Sequence, residues 1–97
     1  MITLFSLKEC SRCSKLIKLL NSDNIEFKVI YDDEHESLFD SIEEIVESTE
    51  YPIVKIEYTN NPARFLYIVN SYSSSKELYI IKYRDIDHAF KLIKQNT

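Results

Sequence analysis

The chain has 97 residues, 44% hydrophobic and 29% charged, with a net charge of -4, which is room for one core and the balance of a globular domain rather than a disordered or membrane one. No basic stripe follows any segment, which excludes nucleic acid as the expected partner. One domain over residues 1–97 is expected, and because Met1 to Leu7 is short and has no positive leading region, neither a signal peptide nor a membrane span is read there and the expected compartment is the cytosol.

Ile2, Leu4, Phe5 and Leu7 make a short strand pattern, which Lys8 and Glu9 break just before Cys10-Ser11-Arg12-Cys13. From Ser11 the apolar positions Cys13, Leu16, Ile17 and Leu20 recur at helical spacing, with Lys15 and Lys18 off that face. A helix to about Asn21 is predicted. The run Asn21-Ser22-Asp23-Asn24 ends it, with an asparagine in the left-handed position that glycine usually fills, since the chain has no glycine. A second strand, Glu26 to Tyr31, follows. After the acidic run Asp32 to Glu36, the positions Leu38, Phe39, Ile42, Ile45 and Val46 repeat one helical face, while Asp40, Glu43, Glu44 and Glu47 point outward. That is the second helix. Tyr51 to Tyr58 carries Pro52 at its start, as a strand tolerates, and then alternates apolar with charged residues. A turn at Thr59-Asn60-Asn61-Pro62 leads to a strand Phe65 to Val69, a serine-rich loop and a strand Leu78 to Tyr83. Asp85 then caps a last helix with Ile86, Ala89, Phe90 and Ile93 on one face.

This order predicts an α/β fold: a mixed four- to five-stranded sheet with a parallel βαβ start, a β-hairpin finish and helices on both faces. Cys10 then arrives at the carboxyl end of the first strand and the amino end of the first helix, where ligands gather in open α/β sheets. The only two cysteines of the chain, placed this close, read as redox-active or metal-binding. Zinc would need two more ligands, and the only histidines, His35 and His88, lie far outside any usual spacing. An inert buried pair is the other rival.

Disulfide exchange needs a thiolate, and a free cysteine with a pKa of ~8.5 is mostly protonated at neutral pH. The unpaired amides and aligned dipoles of a helix amino end stabilise an anion by ~0.3 to 1 kcal/mol at exposed sites. Lys8 and Arg12 add to this and Glu9 opposes it. Cys10 is therefore the expected nucleophile with a lowered pKa, and Cys13, one turn deeper on the apolar face, the resolving thiol. The bland readings stand beside these: Lys8 and Arg12 as solvated charges, Pro52 as an ordinary strand start, Asp85 as a helix cap, His35 and His88 as surface residues, and Tyr51 and Tyr83 as packing.

The strand leading into Cys10-Ser11-Arg12-Cys13, with Tyr51-Pro52 opening a later strand, resembles the glutaredoxin branch of the thioredoxin superfamily. The resemblance implies a thioredoxin-like fold and a thiol-disulfide oxidoreductase working through Cys10 and Cys13. It implies glutathione as the reductant, no tightly bound cofactor, no metal, and a cytoplasmic monomer acting on disulfide-containing proteins or glutathione mixed disulfides. Pro52 would be the cis-proline facing the pair, with Pro62 as the alternative, and the main chain of Tyr51 would pair with glutathione or a substrate peptide. Lys8 and Arg12 would meet a substrate carboxylate, and Asp85 the amine of glutathione. The chain also departs from the family pattern. Ser11 and Arg12 replace the usual proline and aromatic residue, Leu7 stands where a lysine is usual, and Glu50 replaces a threonine. Lys82 and Tyr83 stand where paired glycines let the backbone approach glutathione. Two alternatives follow: an electron donor recharged by a thioredoxin reductase, and a non-catalytic module that keeps the fold to hold a partner.

Overall fold

The strand β1, Ile2–Ser6, is buried at every position, because it lies inside a sheet covered on both faces, where side chains of either parity meet a core. The computed structural model describes residues 1–58, 65–70 and 80–97. After β1 come α1 (Ser11–Ser22), β2 (Lys28–Tyr31), a single 3-10 turn (Asp32–Glu34), α2 (Glu36–Val46), β3 (Ile53–Glu57), β4 (Phe65–Val69), β5 (Ile80–Lys82) and α3 (Ile86–Gln95). The strand order is β2-β1-β3-β4-β5. β1 pairs parallel with β2 through α1, and antiparallel with β3, which pairs antiparallel with β4.

Two apolar clusters fill the two faces. On one, Leu16 and Leu20 of α1 and Ile86, Ala89 and Ile93 of α3 meet Leu4, Val54 and Ile68 of the sheet. On the other, Phe39, Ile42 and Val46 of α2 meet Phe5, Ile53, Tyr67 and Val69. This is the thioredoxin-like arrangement expected from the sequence, with helices on both faces.

The helix ends follow local chemistry. At the end of α1, Asn24 has φ 55°, the Ile25 amide donates to the Leu20 carbonyl (3.0 Å) and the Asn24 amide to Asn21 (3.1 Å). These paired bonds close the last carbonyls, with asparagine serving in place of glycine as expected. α2 ends on Glu47 at φ 54°, also left-handed.

The finish of the sheet differs from expectation. The hairpin is present as β3–β4, but β5 runs parallel to β4, with Tyr67 opposite Ile80 and Val69 opposite Lys82. Residues 70–79 separate the two strands, far more than the two to five residues of a hairpin turn, and that length permits a parallel return. The parallel register places Ile80 in the α2-side cluster with Tyr67 and Val69. Strand bounds also shift: β1 stops at Ser6, and β2 begins at Lys28 rather than Glu26. The Thr59-Pro62 turn, the serine-rich loop and the Leu78–Tyr79 start of the last strand lie outside the described residues.

Three tyrosines are built into these layers. Burial, above all, raises the pKa of Tyr51, Tyr67 and Tyr83 above the ordinary tyrosine value, with the Glu43 carboxylate adding to the effect on Tyr51. Above the ordinary value of about 10, the unfolded chain releases these protons while the folded chain keeps them. Stability is therefore fully present below pH ~10 and falls as pH rises beyond it. A titration followed by phenolate absorbance and far-ultraviolet dichroism should show these hydroxyls ionising together with loss of structure. Ionisation of every tyrosine near pH ~10 in an intact fold would contradict their burial.

Candidate active site

β1 ends at Ser6, three residues follow, and α1 starts with Cys10 as its N-cap at φ −135°, ψ 106°. The Cys13 main-chain N–H donates to Cys10 Sγ at 3.2 Å, and the Ser14 N–H to the Cys10 carbonyl at 3.0 Å. A sulfur thus takes the place that a serine or aspartate oxygen fills at other helix starts. No carboxylate stands in the first turn of α1 to oppose an anion there. Cys10 and Cys13 are joined in a disulfide with Cα atoms 5.2 Å apart, within the ordinary range for such a bond. Cys10 is partly exposed, whereas Cys13 is 1% exposed and belongs to the α2-side cluster. Reduction would leave a partly exposed cysteine with an amide already aimed at its sulfur, and a buried one a turn further along the helix.

Tyr51 shares the cluster of Cys13, and the Tyr51–Pro52 peptide bond is cis. Pro62 lies outside the described residues, and the hairpin that would have supported it is the parallel β4–β5 pair instead. The Tyr51 ring stacks on Phe39 at 5.5 Å between centroids, and its hydroxyl donates to Glu43 Oε2 at 2.6 Å. These contacts draw Tyr51 inward to 2% exposure, and Pro52 is equally buried. In this oxidised form Tyr51, main chain included, has almost no open surface for a substrate.

The charged candidates have separate engagements. Lys8 Nζ lies 3.1 Å from Asp33 Oδ2, and the Lys8 amide donates to Asp32 Oδ1. The hydrogen bond and charge of Asp33 raise the pKa of that ammonium. Arg12 is exposed on α1, next to Cys13. Asp85 Oδ1 accepts the His88 amide at 2.8 Å, capping α3, and His88 Nδ1 accepts the Arg84 amide at 2.9 Å. The capping reading of Asp85 thus has its bond, and His88, read as a surface residue, secures the other side of the same helix start.

One contact near the site had no local signal in the sequence. Tyr83, 0% exposed, donates its hydroxyl to the Pro52 carbonyl at 2.8 Å. Pro52 lies just before β3 and Tyr83 just after β5, far apart in the chain, so neither periodicity nor spacing could reveal the bond.

No group of three or more histidine, cysteine, aspartate or glutamate side chains among the described residues is arranged to hold a metal. No helix there is long and apolar enough to cross a membrane. Residues 2–58 match the family model for glutaredoxin, a span that runs from β1 through the disulfide to the end of β3. No curated protein and no solved structure matches the chain.

Proposed function

The chain belongs to the glutaredoxin family, and from that premise we propose that it is a thiol-disulfide oxidoreductase, with Cys10 as nucleophile and Cys13 as resolving thiol. The Cys10 thiolate attacks a substrate disulfide, one substrate sulfur leaves as a thiolate, and a mixed disulfide forms on Cys10. The Cys13 thiolate then attacks Cys10 Sγ, which closes the Cys10–Cys13 disulfide and releases the second substrate sulfur. Two electrons pass from the protein dithiol to the substrate. The observation that supports this most directly is the Cys13 amide 3.2 Å from the sulfur of a partly exposed N-cap cysteine. That amide and the dipole of α1 favour a thiolate there over a thiol. Arg12 is proposed to meet a substrate carboxylate, and the proposed setting is the cytosol.

Glutathione is the electron source that family membership favours. A reductase enzyme is the second reading, favoured by a glycine-free chain in which buried Tyr83 stands where a close backbone approach would need a residue without a side chain. A protein disulfide assayed with glutathione and glutathione reductase, and in parallel with thioredoxin reductase, distinguishes the two. Consumption of NADPH is expected in the glutathione arm; activity in the other arm alone would transfer the role to a reductase, and silence in both would overturn the oxidoreductase.

A further inference from the structure

Tyr83 is anchored at three points. Its amide donates to the Val69 carbonyl at 2.8 Å, its carbonyl accepts from Asn70 Nδ2 at 3.5 Å, and its hydroxyl reaches the Pro52 carbonyl at 2.8 Å. The first two bonds fix it to the end of β4. The third carries that rigidity to the segment between α2 and β3, which lies in neither helix nor strand. The ring sits in the cluster on the α1–α3 face, whereas Tyr51, next to Pro52, sits in the cluster on the α2 face with Cys13. The Tyr51–Pro52 segment is thus gripped from both sides of the sheet: through Tyr83 on one, and through Phe39 and Glu43 on the other.

We propose that Tyr83 is a positioning residue that keeps the resolving thiol buried: by holding the Pro52 carbonyl it holds Tyr51 in the cluster that buries Cys13, so that Cys10 alone meets an incoming disulfide. The inference rests on the assignment of Cys10 as attacking and Cys13 as resolving sulfur. A buried thiol reacts only through local openings that uncover it, and its rate follows the population of the opened form. Uncovering Cys13 requires its cluster to part, and Tyr51 cannot swing away while Pro52 is tied down. Burial keeps the Tyr83 hydroxyl protonated beyond the ordinary tyrosine range, against an opposing pull from Arg12 and with reinforcement from Glu50. The donor is therefore present at any pH at which the thiols would be assayed.

The test is alkylation of the reduced protein by iodoacetamide, with each cysteine followed by peptide mass spectrometry. In the wild type Cys10 is modified well ahead of Cys13. Tyr83→Phe keeps the ring and removes the hydroxyl, and the Cys13 rate should rise about fivefold with the Cys10 rate unchanged, as expected for the loss of one ordinary hydrogen bond from the closed form. Ile93→Val, a trimmed core residue in the same cluster as Tyr83 that leaves the hydrogen bond to Pro52 in place, should lower the melting temperature and leave the ratio of the two rates as it was. An unchanged Cys13 rate in Tyr83→Phe would overturn the proposal, and so would an equal rise in Ile93→Val. Failure of the oxidoreductase itself would appear separately, as a wild type that reduces no disulfide with either reductant.

Discussion

Cys10→Ser is expected to abolish disulfide reduction, lowering the rate about a thousandfold or more, to background, because the one other thiol, Cys13, is buried and out of reach of a substrate disulfide. The fold should be untouched. Serine is among the best N-cap residues, and its oxygen can accept the Cys13 amide that the sulfur accepts now. Circular dichroism and the melting temperature should therefore match the wild type, which separates lost chemistry from lost structure. Cys13→Ser should behave differently, since it keeps the attacking sulfur and removes only the release step. Incubated with a protein disulfide, that variant should accumulate a mixed disulfide on Cys10, visible by intact mass. With a glutathione mixed disulfide it should still turn over if glutathione itself completes the exchange. Retained activity in Cys10→Ser, or a mixed disulfide trapped on Cys13 in that variant, would reverse the two roles.

The second large effect belongs to the α2 face. Phe39 is 4% exposed, edge-on to Phe5 with centroids 5.7 Å apart, and stacked on Tyr51. Phe39→Ala removes the transfer free energy of the ring and leaves a void that rigid neighbours only partly close, a loss of about 3 to 5 kcal/mol. That is a large share of the ~5 to 15 kcal/mol by which a domain of this kind is stable. Its sequence neighbour Leu38 is 38% exposed, and Leu38→Ala should change stability by no more than about 0.5 kcal/mol. Urea unfolding of both variants checks the contrast. Equal midpoints would mean that α2 does not present Phe39 to the sheet.

What the sequence revealed and what it hid divide along the range of the interactions. Cys10 as the start of α1 was legible because the pattern Cys13, Leu16, Ile17, Leu20 fixes the helix and its amino end within one short stretch. Asn24 was legible as a helix stop for the same reason, since the motif it completes spans only Leu20 to Ile25. The direction of β5 was not. Three residues paired to β4 carry no local mark of whether they run up or down, and the register follows from which cluster Ile80 joins.

Around the site the same division holds. That Cys13 is the more buried of the pair was legible from helical phase, whereas the groups that bury it come from other elements. Lys8 was read as a cation serving the sulfur, but folding brings Asp33 of the 3-10 turn to its ammonium. Tyr51 was read for its main chain, and its burial comes from Phe39 and Glu43 on α2. Tyr83 looked like packing, which it is, but its hydroxyl has a partner that only the folded chain brings near.

The parallel addition of β5 also changes how this protein meets other copies of itself. Without it, β4 would form the sheet's border and offer a five-residue ladder of unpaired amides and carbonyls to any extended chain nearby. With it, the borders are β2 and β5, four and three residues long, each carrying an outward lysine, Lys28 or Lys82. Short charged rims make poor templates for intermolecular strand growth, so among the described residues the sheet offers little edge on which a second copy could add a strand.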